Sequence, residues 1–170
     1  MSEQSGNAAI DPSHFRHVMG HLPTGVSVVT ALEGGVPAGF AVGSFTSVSL
    51  DPAIVSFSAS STSGTLAHVL ATGLFCVNVL GADGEELCRR FAARSDDRFA
   101  GVGWQPSANG APRLTDAIAH VDCTVHDSIE VGDHRVVFGA VTDLAVHHEA
   151  GHHEAGPLVF YRGGYGRFAP

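Results

Sequence analysis

The chain alternates short apolar runs with turn residues, and most runs have the length and two-residue period of β-strands. The most continuous run, Leu74–Leu80, is apolar except at Asn78, which is typical of a central strand covered on both faces. Two longer runs, 118–130 and 135–146, flank a Gly132-Asp133 turn and predict a long hairpin. Further strands are predicted near 26–29, from residue 37, at 45–50, at 54–57 and at 158–161.

Three segments have a helical period instead. Asp11-Pro12 favours a helix start, because Asp caps free amides and Pro fits the first turn. The residues after it form one apolar stripe that ends before Pro23: Phe15, Val18, Met19 and Leu22. Short helices are also predicted around 66–70, closed by Gly73, and over 82–93, and residues 95–116 are expected to form a long ordered loop. About seven strands joined by hairpins, with three short helices, favour a closed antiparallel β-barrel with peripheral helices.

Composition narrows the class of protein. With 170 residues, of which 44% are hydrophobic, the chain is expected to form one domain over 11–170 behind a loose tail of residues 1–10. The net charge of -8 at pH 7 disfavours nucleic acid and anionic membranes as partners. Neither a targeting segment nor a run of about 20 apolar residues is present, so a cytoplasmic location is expected. The three cysteines form no C-x-x-C pair, which argues for a reducing compartment and against a zinc site.

The stretch Gly39–Thr65 is unusually rich in serine and threonine and almost free of charge. Its neutral donors and acceptors suit a flat, polar, phosphorylated ligand. Motifs for a Rossmann unit, a P-loop or a nucleophile elbow do not occur. The pentapeptide HHEAG at 147–151 is repeated at 152–156, but adjacent histidines on a strand point to opposite faces, so a solvated loop without a metal is expected.

Seven sequence motifs, spread in order over nearly the whole chain, resemble those of a known family. They are FRHVMGHLPTGVSVVT at 15–30, GFAVGSFTSVSLDP at 39–52, GLFCVNVL at 73–80, ELCRRFA at 86–92, DRFAGVGW at 97–104, GDH at 132–134 and PLVFYRGGYGRF at 157–168. In these motifs the chain resembles the flavin reductase-like family, whose members serve as reductase components of two-component flavin monooxygenases. The resemblance implies a Greek-key-like split barrel, a homodimer, and hydride transfer from NADH or NADPH to FMN or FAD. It also implies that the reduced flavin diffuses to a separate monooxygenase.

The resemblance also implies site residues. His134 corresponds to a family histidine near the nicotinamide or flavin face, and its alternative is a surface hydrogen bond. Backbone at a turn, together with the segment after it, is expected to contact the flavin ring: Pro23, Thr24, Gly25, Ala41, Val42, Gly43, Ser44, Phe45 and Thr46. Amides and hydroxyls at a helix start are expected to hold the phosphate: Ser61, Ser63 and Thr65. Further candidates for the flavin tail, the phosphate or pocket closure are Arg90, Arg98, Phe99 and Tyr165, with loop packing or a solvated helix face as the alternatives.

The chain departs from the family pattern at two positions. Many members carry Thr and Asn where this chain has Ala41 and Gly43, so two side-chain contacts to flavin are missing. At about 1 kcal/mol each, their loss lowers flavin affinity roughly tenfold to thirtyfold unless backbone amides substitute. Weak binding suits an enzyme that treats flavin as a substrate. A flavin- or haem-binding protein without turnover, and a reductase of another acceptor such as a cobalamin or an iron chelate, stay open as alternatives.

Overall fold

A computed structural model describes residues 10–95, 97–146 and 156–168. Nearly all of the expected tail and of the HHEAG duplication lies outside the described residues. In chain order the elements are α1 (Pro12–Met19), β1 (Thr24–Gly25), β2 (Ser27–Glu33), β3 (Val36–Val42), β4 (Thr46–Leu50), β5 (Ala53–Ser60), α2 (Gly64–Thr72), β6 (Leu74–Leu80), α3 (Glu85–Ala92), β7 (Trp104–Pro106), β8 (Pro112–Leu114), β9 (Ala117–Val131), β10 (His134–Val146), β11 (Leu158–Tyr161) and β12 (Gly164–Arg167).

Seven strands form one antiparallel sheet in the order β3-β2-β6-β9-β10-β5-β4. The β-rich, antiparallel fold class predicted from the sequence is confirmed. The central position of β6 is confirmed too, because it pairs with β2 on one side and β9 on the other. The long hairpin of β9 and β10 turns at Gly132-Asp133, as predicted, and β-bulges interrupt its register.

Side chains join the two ends of this sheet. β3 and β5 are not neighbours in the strand order, yet the rings of Phe40 and Phe57 make an edge contact at 5.9 Å inside the barrel. Just beyond β3, the Ser44 hydroxyl binds the backbone of Ser58 in β5. The contacts close the sheet along a seam, which we define as the junction between residues 40–46 and β5.

The two helices that flank the barrel follow the predicted pattern. α2 begins behind Ser63, whose hydroxyl accepts a hydrogen bond from the Leu66 amide, and it ends at Gly73, which has a left-handed φ of 68°. α3 buries Cys88 and Phe91 in the second core cluster, which we define as the buried residues around Val28, Leu80 and Leu114, separate from the core around Phe57 and Phe75. Of the helices in the described part of the chain, none is long and apolar enough to cross a membrane.

Two segments contain strands that the sequence pattern did not predict. The expected loop 95–116 includes the β7–β8 hairpin, whose Pro112 carbonyl accepts a hydrogen bond from the Thr30 hydroxyl at 2.5 Å. The glycine-rich end of the chain forms β12, which pairs with β11 and, through it, with β1. The β7–β8 hairpin depends on contacts with distant residues, and two of the four residues of β12 are glycine, so both segments lack the local alternation that signals a strand.

The apolar stripe of α1 is formed as predicted, but it is not covered by the rest of the chain. The helix ends at Met19, before the predicted end at Pro23, so Leu22 lies in the turn that follows. No residue of this fully described helix is buried, and the four side chains of the stripe range from Met19, 47% exposed, to Leu22, 59% exposed. The helix end attaches to the body where the Arg162 amide donates to the Gly20 carbonyl at 2.8 Å. The His21 ring lies 6.2 Å from that of Tyr161. The stripe therefore faces solvent in the single chain.

Candidate functional site

The turn that carries His134 meets the hydroxyl-rich loop at the end of β5. His134 is the register partner of Ser60, and the Ser61 amide donates to the Asp133 carbonyl at 3.0 Å. His134 is half exposed, and its Nδ1 lies 2.7 Å from Asp133 Oδ1. That hydrogen bond lowers the pKa of the Asp133 carboxyl. It also leaves His134 Nε2 without a partner among the described residues, so this nitrogen is available to a ligand.

The loop after β5 presents neutral groups suited to an anion. Ser60 and Thr62 hydroxyls lie 3.0 Å apart, and the Ser63 hydroxyl caps the Leu66 amide at 3.3 Å. Ahead of that capped amide, the first amides of α2 have no acceptor in the described part of the chain. A helix start with free amides attracts a phosphate without a lysine. Ser61 and Ser63 thus lie where the phosphate was predicted.

The Thr65 side chain differs from the expectation. It is buried, and its hydroxyl donates to the Gly39 carbonyl of β3 at 3.3 Å. Leu66, the next residue, also packs into the core, because this side of α2 covers the barrel. The hydroxyl of Thr65 is therefore committed to the barrel wall, and only its backbone amide remains for an anion.

The guanidinium of Arg98 lies beside the start of α2. Its Nη1 donates to the same Gly39 carbonyl at 2.7 Å, and its Nε donates to the Ala93 carbonyl at 2.9 Å. These bonds fasten the segment after α3 onto β3. They also place a positive charge next to Thr65, in a protein whose net charge is -8 at pH 7. Arg98 thus packs its own segment onto the barrel, which was the alternative to flavin binding, and it also lies near the predicted phosphate position.

The predicted ring-binding residues gather at the seam, but few of their side chains point outward. Gly43 lies against Thr24, and a Cβ at Gly43 would come within 2.7 Å of the Thr24 hydroxyl oxygen. Val42 is buried in the core and Ala41 packs against the second core cluster. Around Gly43, the surface that a ligand meets is mainly backbone.

The remaining residues of the predicted ring site differ in exposure. Pro23, Gly25 and Thr46 are exposed, and Phe45 is half buried against the core. Gly25 has open space where a side chain would project. The turn at 23–25 and the seam thus present small or backbone groups next to each other, as predicted for close approach of a flat ring.

Phe99 and Tyr165 lie around α3 rather than at the loop after β5. Phe99 makes edge contacts with Phe91 at 5.1 Å and Trp104 at 6.1 Å, which are the contacts of the packing alternative. The Tyr165 hydroxyl lies 3.2 Å from the Cys88 sulfur. Burial and this contact raise the pKa of Tyr165 to about 12.

Arg90 is also separate from the loop. Its guanidinium donates to the Ala100 carbonyl and lines a cavity of about 350 Å³ between α3 and the residues on either side of the β7–β8 hairpin. Asp83, Glu86 and Asp116 line the same cavity. Three carboxylates make this cavity an unfavourable place for a phosphate.

Sequence reasoning missed two contributors, Ser58 and Gly39. Both act through backbone groups. The Ser58 amide and carbonyl bind the Ser44 hydroxyl, and the Gly39 carbonyl accepts from Thr65 and Arg98. A backbone contribution leaves no residue-type signal. For Ser58 the alternation of serine with apolar residues at the end of β5 was the only available hint.

Comparisons with known proteins agree with this fold. The flavin reductase like domain family matches residues 19–169. The reductase subunit HsaB of a flavin-dependent monooxygenase from Rhodococcus jostii is 42% identical, over 100% of this chain and 87% of its own length. A structure of a nitrilotriacetate monooxygenase component B homologue from Mycobacterium thermoresistibile superposes with a TM-score of 0.88 at 42% identity, over 93% of this chain and 87% of that one.

A third comparison concerns a protein solved with ligands. The NADH:FAD oxidoreductase of Streptomyces globisporus, in complex with NAD and FAD fragments, superposes with a TM-score of 0.85 at 35% identity. It covers 95% of this chain and 97% of its own. The fold and the seam define a flavin reductase-type split barrel. The chain belongs to the flavin reductase like domain family.

Proposed function

We propose that this protein is an NAD(P)H-dependent flavin reductase that passes reduced FMN or FAD to a partner monooxygenase. The observation that carries the proposal is the pairing of His134 with Ser60, which unites the imidazole with the hydroxyl loop. The similar proteins support it, because they are named as flavin reductases and as reductase components of monooxygenases.

The residues at the seam fit a flavin by the chemistry of their donors. Free amides at the start of α2, the Ser61 and Ser63 hydroxyls and the nearby Arg98 charge would hold the phosphate. The glycine backbone at Gly25 and Gly43 would approach the ring. Flavin bound there supplies the acceptor for a hydride from the nicotinamide.

The protein's own task in this reaction is positioning. Hydride transfer requires two flat rings to stack at near-contact distance with water excluded. His134, whose Nδ1 is fixed by Asp133, would orient the nicotinamide through Nε2. Backbone amides around Gly43 would stabilise the charge that develops on the polar edge of the flavin.

The seam also supports release of the flavin. Ala41 and Gly43 offer no side-chain hydrogen bonds, and Gly43 has no room for a side chain beside Thr24. We therefore propose that flavin is a substrate, which binds, is reduced and leaves for the monooxygenase.

Steady-state oxidation of reduced nicotinamide tests the function. Purified protein is mixed with NADH or NADPH, with and without excess FMN or FAD, and the near-ultraviolet absorbance of the nicotinamide is followed. We expect its oxidation to require both protein and flavin. Flavin binding without nicotinamide oxidation would instead indicate a binding protein, and reduction of an iron chelate or cobalamin alone would indicate another acceptor.

We further propose that two copies associate through α1. An isolated helix of 8 residues is unstable in water, and the apolar stripe of α1 has no cover within the described chain. Phe160 and Tyr161 are also exposed on the strand that carries the attachment of α1. A second copy that buries this surface would stabilise the helix. The surface is therefore our candidate for the interface of the homodimer that the resemblance implies.

Charge in the stripe should separate the copies. In the double variant Phe15→Glu/Val18→Glu we expect a single chain of 17.6 kDa in light scattering coupled to gel filtration, whereas the wild type shows about twice that mass. Val36→Glu is the matched control, because Val36 is an apolar residue with a similar exposure of 59% but lies at the β2–β3 turn. We expect this variant to stay dimeric. A monomeric wild type, or a dimeric double variant, would refute the α1 interface.

A further inference from the structure

The Ser44 hydroxyl makes two hydrogen bonds with one residue of another strand. Its Oγ accepts from the Ser58 amide at 3.0 Å and donates to the Ser58 carbonyl at 3.1 Å. In an antiparallel ladder, a backbone residue makes the same pair of bonds with the residue opposite. The side chain therefore replaces a missing rung between the end of β3 and β5.

This bridge lies between the two halves of the proposed flavin site. Ser58 is two residues before Ser60, the partner of His134. On its other side, Ser44 follows Gly43, which packs against Thr24. The distance between the Gly43 backbone and the His134 turn thus depends on how firmly Ser44 is held on Ser58.

Two other contacts cross the seam. On the β4 side, Thr46 is the register partner of Ser56, and this is the last pair of the β4–β5 ladder. The contact on the β3 side is less specific. Phe40 and Phe57 meet by ring packing at 5.9 Å, and apolar packing is non-directional, so it tolerates small shifts of one strand along the other. A hydrogen-bonded pair with two fixed partners does not tolerate such shifts. Between the last pair of the β4–β5 ladder and β3, the position of residues 43 and 44 along β5 is therefore set mainly by Ser44.

We propose that Ser44 is a positioning residue for the flavin, an inference that rests on the proposed function. Its single proton is given to the Ser58 carbonyl, so Ser44 acts through the backbone of Gly43 rather than by donating to the flavin. This differs from the expectation that Ser44 itself contacts the flavin ring.

The bridge itself is tested in protein without flavin. Ser44→Ala removes the acceptor of the Ser58 amide, and we expect that amide to exchange its hydrogen about tenfold faster by NMR, since its local protection is lost. Ser44→Thr keeps the hydroxyl and should restore slow exchange. Ser58→Ala is the matched control, because it removes a hydroxyl at the seam but keeps both backbone groups that Ser44 uses.

The positioning role is tested by flavin titration and kinetics on the same variants. We expect Ser44→Ala to raise the Kd and KM for FMN about tenfold with little change in kcat, and Ser44→Thr and Ser58→Ala to match the wild type. Unchanged amide exchange in Ser44→Ala would overturn the inference, and so would faster exchange without weaker FMN binding. Weaker FMN binding with unchanged exchange would indicate direct contact and overturn it too. A wild type that binds FMN but does not reduce it would overturn the proposed function, and the amide exchange would still report on the bridge.

Discussion

His134→Ala should slow flavin-dependent NADH oxidation by about tenfold to a hundredfold, because misplacement of a reacting ring by an ångström costs up to that much. His134 is half exposed, and its side chain contacts Asp133 in its own turn. The variant should therefore unfold at the wild-type temperature. The measurement is kcat and KM for NADH at saturating flavin, together with a thermal scan.

Two variants of the same hairpin serve as controls for this result. His126→Ala removes another exposed histidine, from β9, and should retain the wild-type rate. Asp133→Asn keeps the size of the partner of His134 Nδ1 but removes its charge, so we expect a smaller loss than in His134→Ala. If His134→Ala turns over as fast as His126→Ala, His134 is a surface residue and not part of the site.

Asp122→Asn should destabilise the protein by about 3 kcal/mol, because Arg113 binds both carboxylate oxygens of Asp122, and in the variant one of these fully buried acceptors becomes an NH2 donor that faces a cation. The Asp122 side chain is fully buried in β9, and its Oδ2 lies 2.6 Å from Arg113 Nη2 on β8. We expect the unfolding midpoint to fall by roughly 6–12 °C for a chain of this size. Calorimetry or thermal circular dichroism measures this shift.

Asp143→Asn provides the matched control. Asp143 binds the same Arg113 Nη2 at 2.5 Å, but its side chain is 49% exposed, so its loss should lower the unfolding midpoint much less than Asp122→Asn does. Replacing both partners of this pair, as Arg113→Met with Asp122→Leu, should cost less than Asp122→Asn alone. An unchanged midpoint in Asp122→Asn would show that the pair does not stabilise the fold.

The strong periodic signals in the sequence predicted most of the barrel. Leu74–Leu80 and the long hairpin at Gly132-Asp133 are local patterns, and local patterns are what a sequence displays. The β7–β8 hairpin is different, because it is held by buried polar groups from distant strands. One such group is the Asn78 side-chain oxygen, which accepts from the Leu114 amide at 2.7 Å. A polar residue in an apolar run gives no indication of which segment it will bind.

The candidate site also has a part that the sequence predicted and a part that it did not. The residue types of Ser61, Ser63 and His134 indicated the chemistry, but their meeting depends on the register of β5 against β10. Side-chain direction was the least predictable property. Thr65 turns inward onto Gly39 and Phe99 packs on Phe91, because the helix and loop that carry them cover the barrel.

The central claim is that flavin binds where the His134 turn meets the loop after β5. Amide hydrogen exchange of the wild type, with and without saturating FMN, tests it most directly. The proposed site predicts slower exchange at 43–46, 58–65 and 132–134. Protection confined to the walls of the α3 cavity, at 81–90 and 101–118, would contradict it.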